Sequence, residues 1–165
     1  MLGAKPMRRK DREMDAAFAM NVLERCEFAM LAMTLPDGMP YCIPISPALL
    51  DGAVVFHCAQ HGCKTDAMRA NPDVCLSAAC DVSPVPEDFT TEYASAVAFG
   101  TAFEVTDDAE KVAALRAICE RYAASNMKGF EEAVERSLHR TAVWRIDIDG
   151  LTGKRKKVAK GEHDE

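Results

Sequence analysis

Two tight-turn signals, Pro36-Asp37-Gly38 and Asp51-Gly52, cut the first third of this chain into short extended pieces. Proline presets the first backbone angle of such a turn and glycine accepts a positive one. The apolar runs they bound, Phe28 to Leu35, Met39 to Ser46 and Ala53 to Cys58, predict a three-strand meander with the third strand beside the second. Val74 to Cys80 predicts a fourth strand and "ASAVAFGTAFEV" a fifth, in which Gly100 marks a bulge or bend. In "TAVWRIDID", the sixth, Val143, Arg145, Asp147 and Asp149 take one face and Trp144, Ile146 and Ile148 the other. The proline-bearing, acidic stretch "DVSPVPEDFTTEY" is assigned to a loop.

Helical spacing appears over Asp15 to Arg25, Lys64 to Ala70 and about Lys128 to Leu138, and Asn71 stops the second because it precedes Pro72. A further helix opens at Asp107 with Glu110 as in a capping box, its buried face predicted as Val112, Leu115, Ile118, Cys119 and Tyr122. The strand–helix alternation of a doubly wound sheet is missing. The pattern therefore predicts an α+β chain, a six-stranded antiparallel barrel with flanking helices.

With 165 residues, 48% hydrophobic and 28% charged, the sequence reads as a single domain, residues 1–165, with basic tails at 1–12 and 154–165. The longest uncharged runs, Gly38 to Leu50 and Gly52 to Cys63, fall short of the roughly 20 apolar residues that span a bilayer. Arg8, Arg9, Lys10 and Arg12 are followed by acidic residues and not by an apolar run, so no export signal is read and a cytoplasmic location is expected. The seven cysteines are then reduced thiols, with Cys75, Cys80 and Cys119 as small core hydrophobes. Residues 13–153 hold ten basic side chains against 22 acidic, while five basic residues lie in 1–12 and five more between Lys154 and Lys160. So acidic a body excludes duplex nucleic acid and anionic membrane as main partners. The basic ends are either solvated or meet a small phosphate.

The chemistry concentrates in "FHCAQHGCKTDAMRANP". A strand ends at His57-Cys58, the chain turns at Gly62, and Lys64-Thr65-Asp66 begins a helix, whose unpaired amides and partial positive charge suit a phosphate monoester. Thr65 or Asp66 serves equally as a plain helix cap, and the residues leave both readings open. His57, Cys58, His61 and Cys63 crowd together, but neighbours on a strand face opposite ways, so no metal site is assigned. His57 is either a core histidine or a group beside a ligand; His139 and His163 carry no pattern. In "YCIPISP", Pro44 and Pro47 require a sheet edge, or backbone groups left for something else, such as a flat ligand with an amide-like edge. Dinucleotide, P-loop and nucleophile-elbow fingerprints are absent from the sequence.

"MRRKDREMD", "DGMPYCIPIS", "VVFHCAQHGCKTDAMRANPDVCLS", "YASAVAFGTAFEVTDDAEKVAAL" and "VWRIDIDGLTGK" follow one another as in the FMN-binding split-barrel proteins related to pyridoxamine 5'-phosphate oxidase. The chain resembles most the nitroimidazole-resistance (Nim) branch, from about Met7 to Arg155. The resemblance implies a six-stranded split β-barrel and a homodimer with FMN at the subunit interface. It implies that the Pro44, Ile45 and Ser46 backbone meets the isoalloxazine edge, that His57, Cys58 and Ala59 line the pocket, and that Lys64 and Thr65 hold the phosphate. Tyr93 and Ser95 would lie near the flavin tail, with Trp144 and Lys154 approaching from the C-terminal part. The arginine-rich clamp of a true pyridoxamine phosphate oxidase is not evident, so that activity is not implied. The expected function is an FMN-dependent oxidoreductase acting on a small flat acceptor such as a nitroimidazole, with His57 as proton donor or substrate contact. The alternative is a noncatalytic flavin- or haem-binding store or sensor.

Overall fold

The computed structural model describes residues 6–158. After a 3₁₀ turn at Lys10–Arg12 the elements are β1 (Glu13–Met14), α1 (Ala16–Arg25), β2 (Ala29–Thr34), β3 (Pro40–Ile45), β4 (Ala48–Leu50), β5 (Ala53–Ala59), α2 (Cys63–Ala70), β6 (Asp73–Val85), β7 (Thr90–Val105), α3 (Asp108–Tyr122), α4 (Phe130–Ser137) and β8 (Thr141–Lys156). The six predicted strands are all present, and the short β1 and β4 bring the sheet to eight. Every strand pair is antiparallel.

The strand order is β3-β2-β6-β7-β8-β5-β4, with β1 added against β8. The two ends of this path, β3 and β4, are consecutive in the chain, separated only by Ser46 and Pro47. A sheet whose end strands must meet across so short a connection has to curl. Because β3 and β4 share no ladder, it curls into a barrel with an open seam.

Alternation along the strands fills this barrel. Val54 and Phe56 of β5, Trp144 and Ile146 of β8, Leu31 of β2 and Leu76 of β6 enter one core that α1 also joins through Ala19, Val22 and Leu23. On the other face, Val55 and Val143 pack with Ala48 under Ala114 and Ile118 of α3. The buried stripe of α3 is thus narrower than predicted: Tyr122 is exposed, and Val112, Leu115 and Cys119 are half-buried.

Two predictions of the strand pattern are corrected. β5 pairs with β4 and β8, not with β3, because Pro47 ends the second strand and the Asp51-Gly52 turn closes a separate β4–β5 hairpin. The stretch 81–93 is not a loop: β6 and β7 run on as a two-stranded arm, Ser83 opposite Glu92 and Val85 opposite Thr90, turning through Pro86–Asp88. Each strand of such an arm has an open edge, where a proline that cannot donate is tolerated. Lys154 to Lys156, placed in a tail by the sequence, close β8, while His163 and the last lysine lie outside the described residues. Among the described residues no helix is long and apolar enough to cross a membrane.

Gly100 stands at the register shift between β7 and β8, as its position in the run suggested. A Cβ there would run into the Asp147 carbonyl oxygen and lie 2.9 Å from Ile146 Cγ2. Gly100→Ala is expected to cost on the order of 3 kcal/mol, the upper end for overpacking, read as a lowered urea midpoint with an unchanged slope.

Candidate functional site

At the start of α2, Gly62 adopts φ 147° and ψ 170°, a region open to glycine and strained for other residues. It provides no side-chain cap, and the first backbone bond of the helix runs from Asp66 N–H to the Gly62 carbonyl at 3.0 Å. The amides of Cys63, Lys64 and Thr65 precede that bond and therefore have no acceptor within the helix. Neither Thr65 nor Asp66 is the cap. Thr65 is 1% exposed and its hydroxyl donates to the Gly62 carbonyl at 2.7 Å, which fastens the turn and commits that proton. What Thr65 offers an anion is its backbone N–H.

The direction of α2 is fixed from its other end. Arg69 donates from two nitrogens to the Glu104 carboxylate in β7, both at 2.9 Å, and from one of them to the Gln60 carbonyl at 3.1 Å. A planar guanidinium sets both separation and angle in such a fork. Together with buried Ala67 and Met68, it aims the helix start at the barrel seam.

There, Lys64, His57, Pro44, Ile45, Ser46 and Phe28 line a cleft of about 400 Å³. β3 forms one wall and, as the sheet edge, pairs only with β2, so its outer backbone groups are available to a ligand. His57 projects from the opposite wall with its side chain exposed. Burial of the inner part of its ring lowers its pKa, and the Lys64 ammonium lowers it further, which favours the neutral imidazole.

Both ends of the seam hang from α3. Arg121 donates to the Pro47 carbonyl at 2.7 Å, to the Leu23 carbonyl at 3.0 Å, and to the Cys26 carbonyl. Tyr122 adds its hydroxyl to Pro47 O at 2.8 Å. Pro47 directly follows the cleft residue Ser46, and Cys26 lies just before Phe28, so one guanidinium ties the two lips of the cleft together.

The family model described as pyridoxamine 5'-phosphate oxidase matches residues 15–155, which take in every strand from β2 to β7 and nearly all of β8. The chain belongs to the pyridoxamine 5'-phosphate oxidase family. No curated protein matches it. Solved structures similar to this family member include a candidate 5-nitroimidazole antibiotic resistance protein from Bacteroides thetaiotaomicron, at 20% identity and TM-score 0.75, covering 87% of this chain and 86% of that one. A FAD-binding protein from Mesorhizobium loti is 21% identical with TM-score 0.67, covering 88% and 98%. A FAD- and haem-binding protein from Mycobacterium smegmatis is 19% identical with TM-score 0.74, covering 89% and 74%.

Within this family member the predicted site residues fall into four places. Pro44, Ile45, Ser46, His57 and Lys64 share the cleft, with Thr65 beneath its rim. Cys58 turns toward the core, its thiol pKa raised by burial, and Ala59 ends β5 opposite Thr141. Trp144 is 2% exposed inside the barrel, where its indole N–H has no partner among the described residues. Tyr93, Ser95 and Lys154 form a separate group at the far end of β8, Ser95 opposite Lys154 and Lys154 Nζ 5.6 Å from the Tyr93 ring centre. Phe28 and Arg121 were missed: Phe28 reads as one more residue of an apolar run, and nothing near Arg121 in the sequence marks its distant carbonyl partners.

Arg121→Leu leaves three carbonyls without their charged donor and is expected to cost on the order of 3 kcal/mol, measured by chemical denaturation. Glu104→Gln, which loosens only α2, is expected to cost about 1 kcal/mol, since that pair is partly exposed.

Proposed function

We propose that this chain is a flavoprotein that binds FMN in the seam cleft and works as an oxidoreductase on a small flat acceptor of the nitroimidazole or nitroaromatic kind. The carrying observation is the convergence, on one cleft, of an uncapped helix start with Lys64 and a sheet-edge backbone at Pro44 to Ser46. These are the two recognition elements the ligand requires: a cationic cradle for its phosphate and a row of backbone groups for the amide-like edge of its ring. When bound, FMN supplies the electron transfer itself.

The protein's part is then positional. Lys64 and the amides of residues 63 to 65 hold the phosphate, and β3 sets the plane of the ring. The neutral His57 imidazole, on the opposite wall, is placed to donate or accept a hydrogen bond at an acceptor molecule. A homodimer with the cleft at its interface is part of the proposal. Supporting it, Phe28 lies both on the cleft and on a hollow of about 600 Å³ bounded by Met30, Ser77 and Ala79 on the outside of β2 and β6. This face continues to Val97 and Phe99, which belong to neither core.

Absorption of the purified protein tests the reading. After FMN is added and the excess removed, bands near roughly 370 and 450 nm at about one flavin per chain are expected, with a dimer by light scattering. Lys64→Ala is expected to weaken FMN affinity about 10- to 100-fold, the worth of one charge-assisted contact. A protein that retains no flavin overturns the proposal. Retention without reduction of a nitroimidazole by any nicotinamide or reduced-flavin donor supports the store or sensor in its place, and a Soret band lost in His57→Ala supports haem.

A further inference from the structure

The two basic ends of the sequence, far apart in the chain, meet in the fold. β1 pairs with β8 so that Glu13 lies opposite Lys154 and Met14 opposite Gly153. Arg12 is thereby brought to Arg155, Lys156 and Lys157, and these four cations with Asp11 and Met14 line a cleft of about 510 Å³. A smaller hollow of about 170 Å³ carries the same three C-terminal cations on to Tyr93, Glu92 and Asp81. The acidic groups here already have partners: Asp11 pairs with Arg9 and, at 3.7 Å, with Arg12 itself, Asp81 pairs with Arg25, and Glu92 accepts from the Val158 amide at 2.7 Å. Among the described residues, Arg155, Lys156 and Lys157 enter no ion pair.

Such a concentration of positive charge is costly to hold, since among the described residues Asp11 is the one carboxylate that lines its cleft, and it is relieved when an anion enters. It also stands out against the remaining chain, where residues 13–153 carry ten basic and 22 acidic side chains. A long polyanion would meet that acidic body. A ligand small enough to stay within the cleft would not.

We propose that this cleft is a second ligand site, distinct from the seam, that takes the phosphate chain of a nucleotide, with the cations of β8 and Arg12 on the phosphates and Tyr93 as the aromatic wall beside them. The volume suits a nucleotide, and the paired hollows, one lined mainly by cations and one with an aromatic side chain, match its two chemical ends. Tyr93 also supplies a signal. Lys154 lowers its phenol pKa, Arg12 and the more distant Arg9 act in the same direction, and burial opposes them. Asp81 and Glu92 face the same hollow, Asp81 paired with Arg25 and Glu92 accepting from the Val158 amide, a bond that leaves the Glu92 charge in place. An anion bound among these cations offsets them, disfavours the phenolate and moves the Tyr93 pKa back up.

The test is calorimetric titration of the full chain with ADP and, separately, inorganic pyrophosphate, at low salt, with and without FMN added first. ADP is expected to bind with a dissociation constant of roughly 10 to 100 µM. The affinity is expected to fall at least about tenfold in Arg155→Ser/Lys156→Ser, and similarly in Arg12→Ser, which leaves β8 untouched. It should be indifferent to FMN and to Lys64→Ala. Phenolate absorbance should titrate at higher pH with ADP present, a shift that Tyr93→Phe abolishes. The proposal is overturned by no ADP binding, by ADP binding that FMN or Lys64→Ala removes, or by pyrophosphate binding as tightly as ADP, which would make the cleft a reader of charge alone. Failure of FMN to bind would refute the seam assignment and leave this result standing.

Discussion

Ser46 and Pro47 are the shortest link in the molecule that joins its most distant strands. Seven strands lie in a hydrogen-bonded row, and the chain requires the first and last of that row to meet across two residues. Curling follows from this, and so does the seam, because β3 leaves the connection in one direction while β4 turns to pair with β5 alone. A sheet edge is ordinarily a liability that invites another strand. Here Pro44, which removes a donor from that edge, and the burial of Pro47 under the α3 contacts make the edge a poor template for strand addition while leaving its acceptors available.

An open seam would drift without cross-bracing, since no ladder spans it. The bracing is electrostatic and comes from helices. Arg121 grips carbonyls on both lips, and Arg69 fixes α2 against β7 at Glu104 so that the helix start cannot swing away from His57. Guanidinium groups suit both tasks because their donors sit in a rigid plane. The same positive charge acts at short range on the site chemistry: Lys64, held beside His57, is one reason the imidazole stays neutral.

What could be read from the sequence was local. Asp15 and Asp107 were legible as helix starts, and their carboxylates accept from Phe18 N–H at 2.8 Å and Glu110 N–H at 2.9 Å. Gly100 was legible because a glycine inside a long β run has few other uses. Lys64 after Gly62 was legible as a helix start, although the roles within it were not: the hydroxyl of Thr65 turns back onto Gly62 and does not face the cleft. Pairings between distant segments were beyond reach. A turn at Asp51-Gly52 says that two strands meet but not that the first of them is as short as β4, and prolines in 81–93 look the same in a loop as on the open edges of a two-stranded arm. Arg121 is the extreme case, a single arginine on an amphipathic helix whose acceptors come from α1, the residue that follows it and the seam.

The termini show the same division between composition and placement. Ten basic residues at the two ends of an acidic chain look like solvated tails when counted. The two-residue strand β1 changes that meaning, because its pairing with β8 is what carries Arg12 to Arg155 and Lys156. The chain therefore has two cationic places of different construction. At the seam, three backbone amides and one lysine follow a glycine turn, a geometry suited to the single phosphate proposed for it. At the termini, flexible side chains on a strand end surround a wider space, a geometry selective for charge and extent more than for shape. The intervening body, with its excess of carboxylates, is unfavourable ground for a long anion bridging the two, which is why the ligand proposed for each is small.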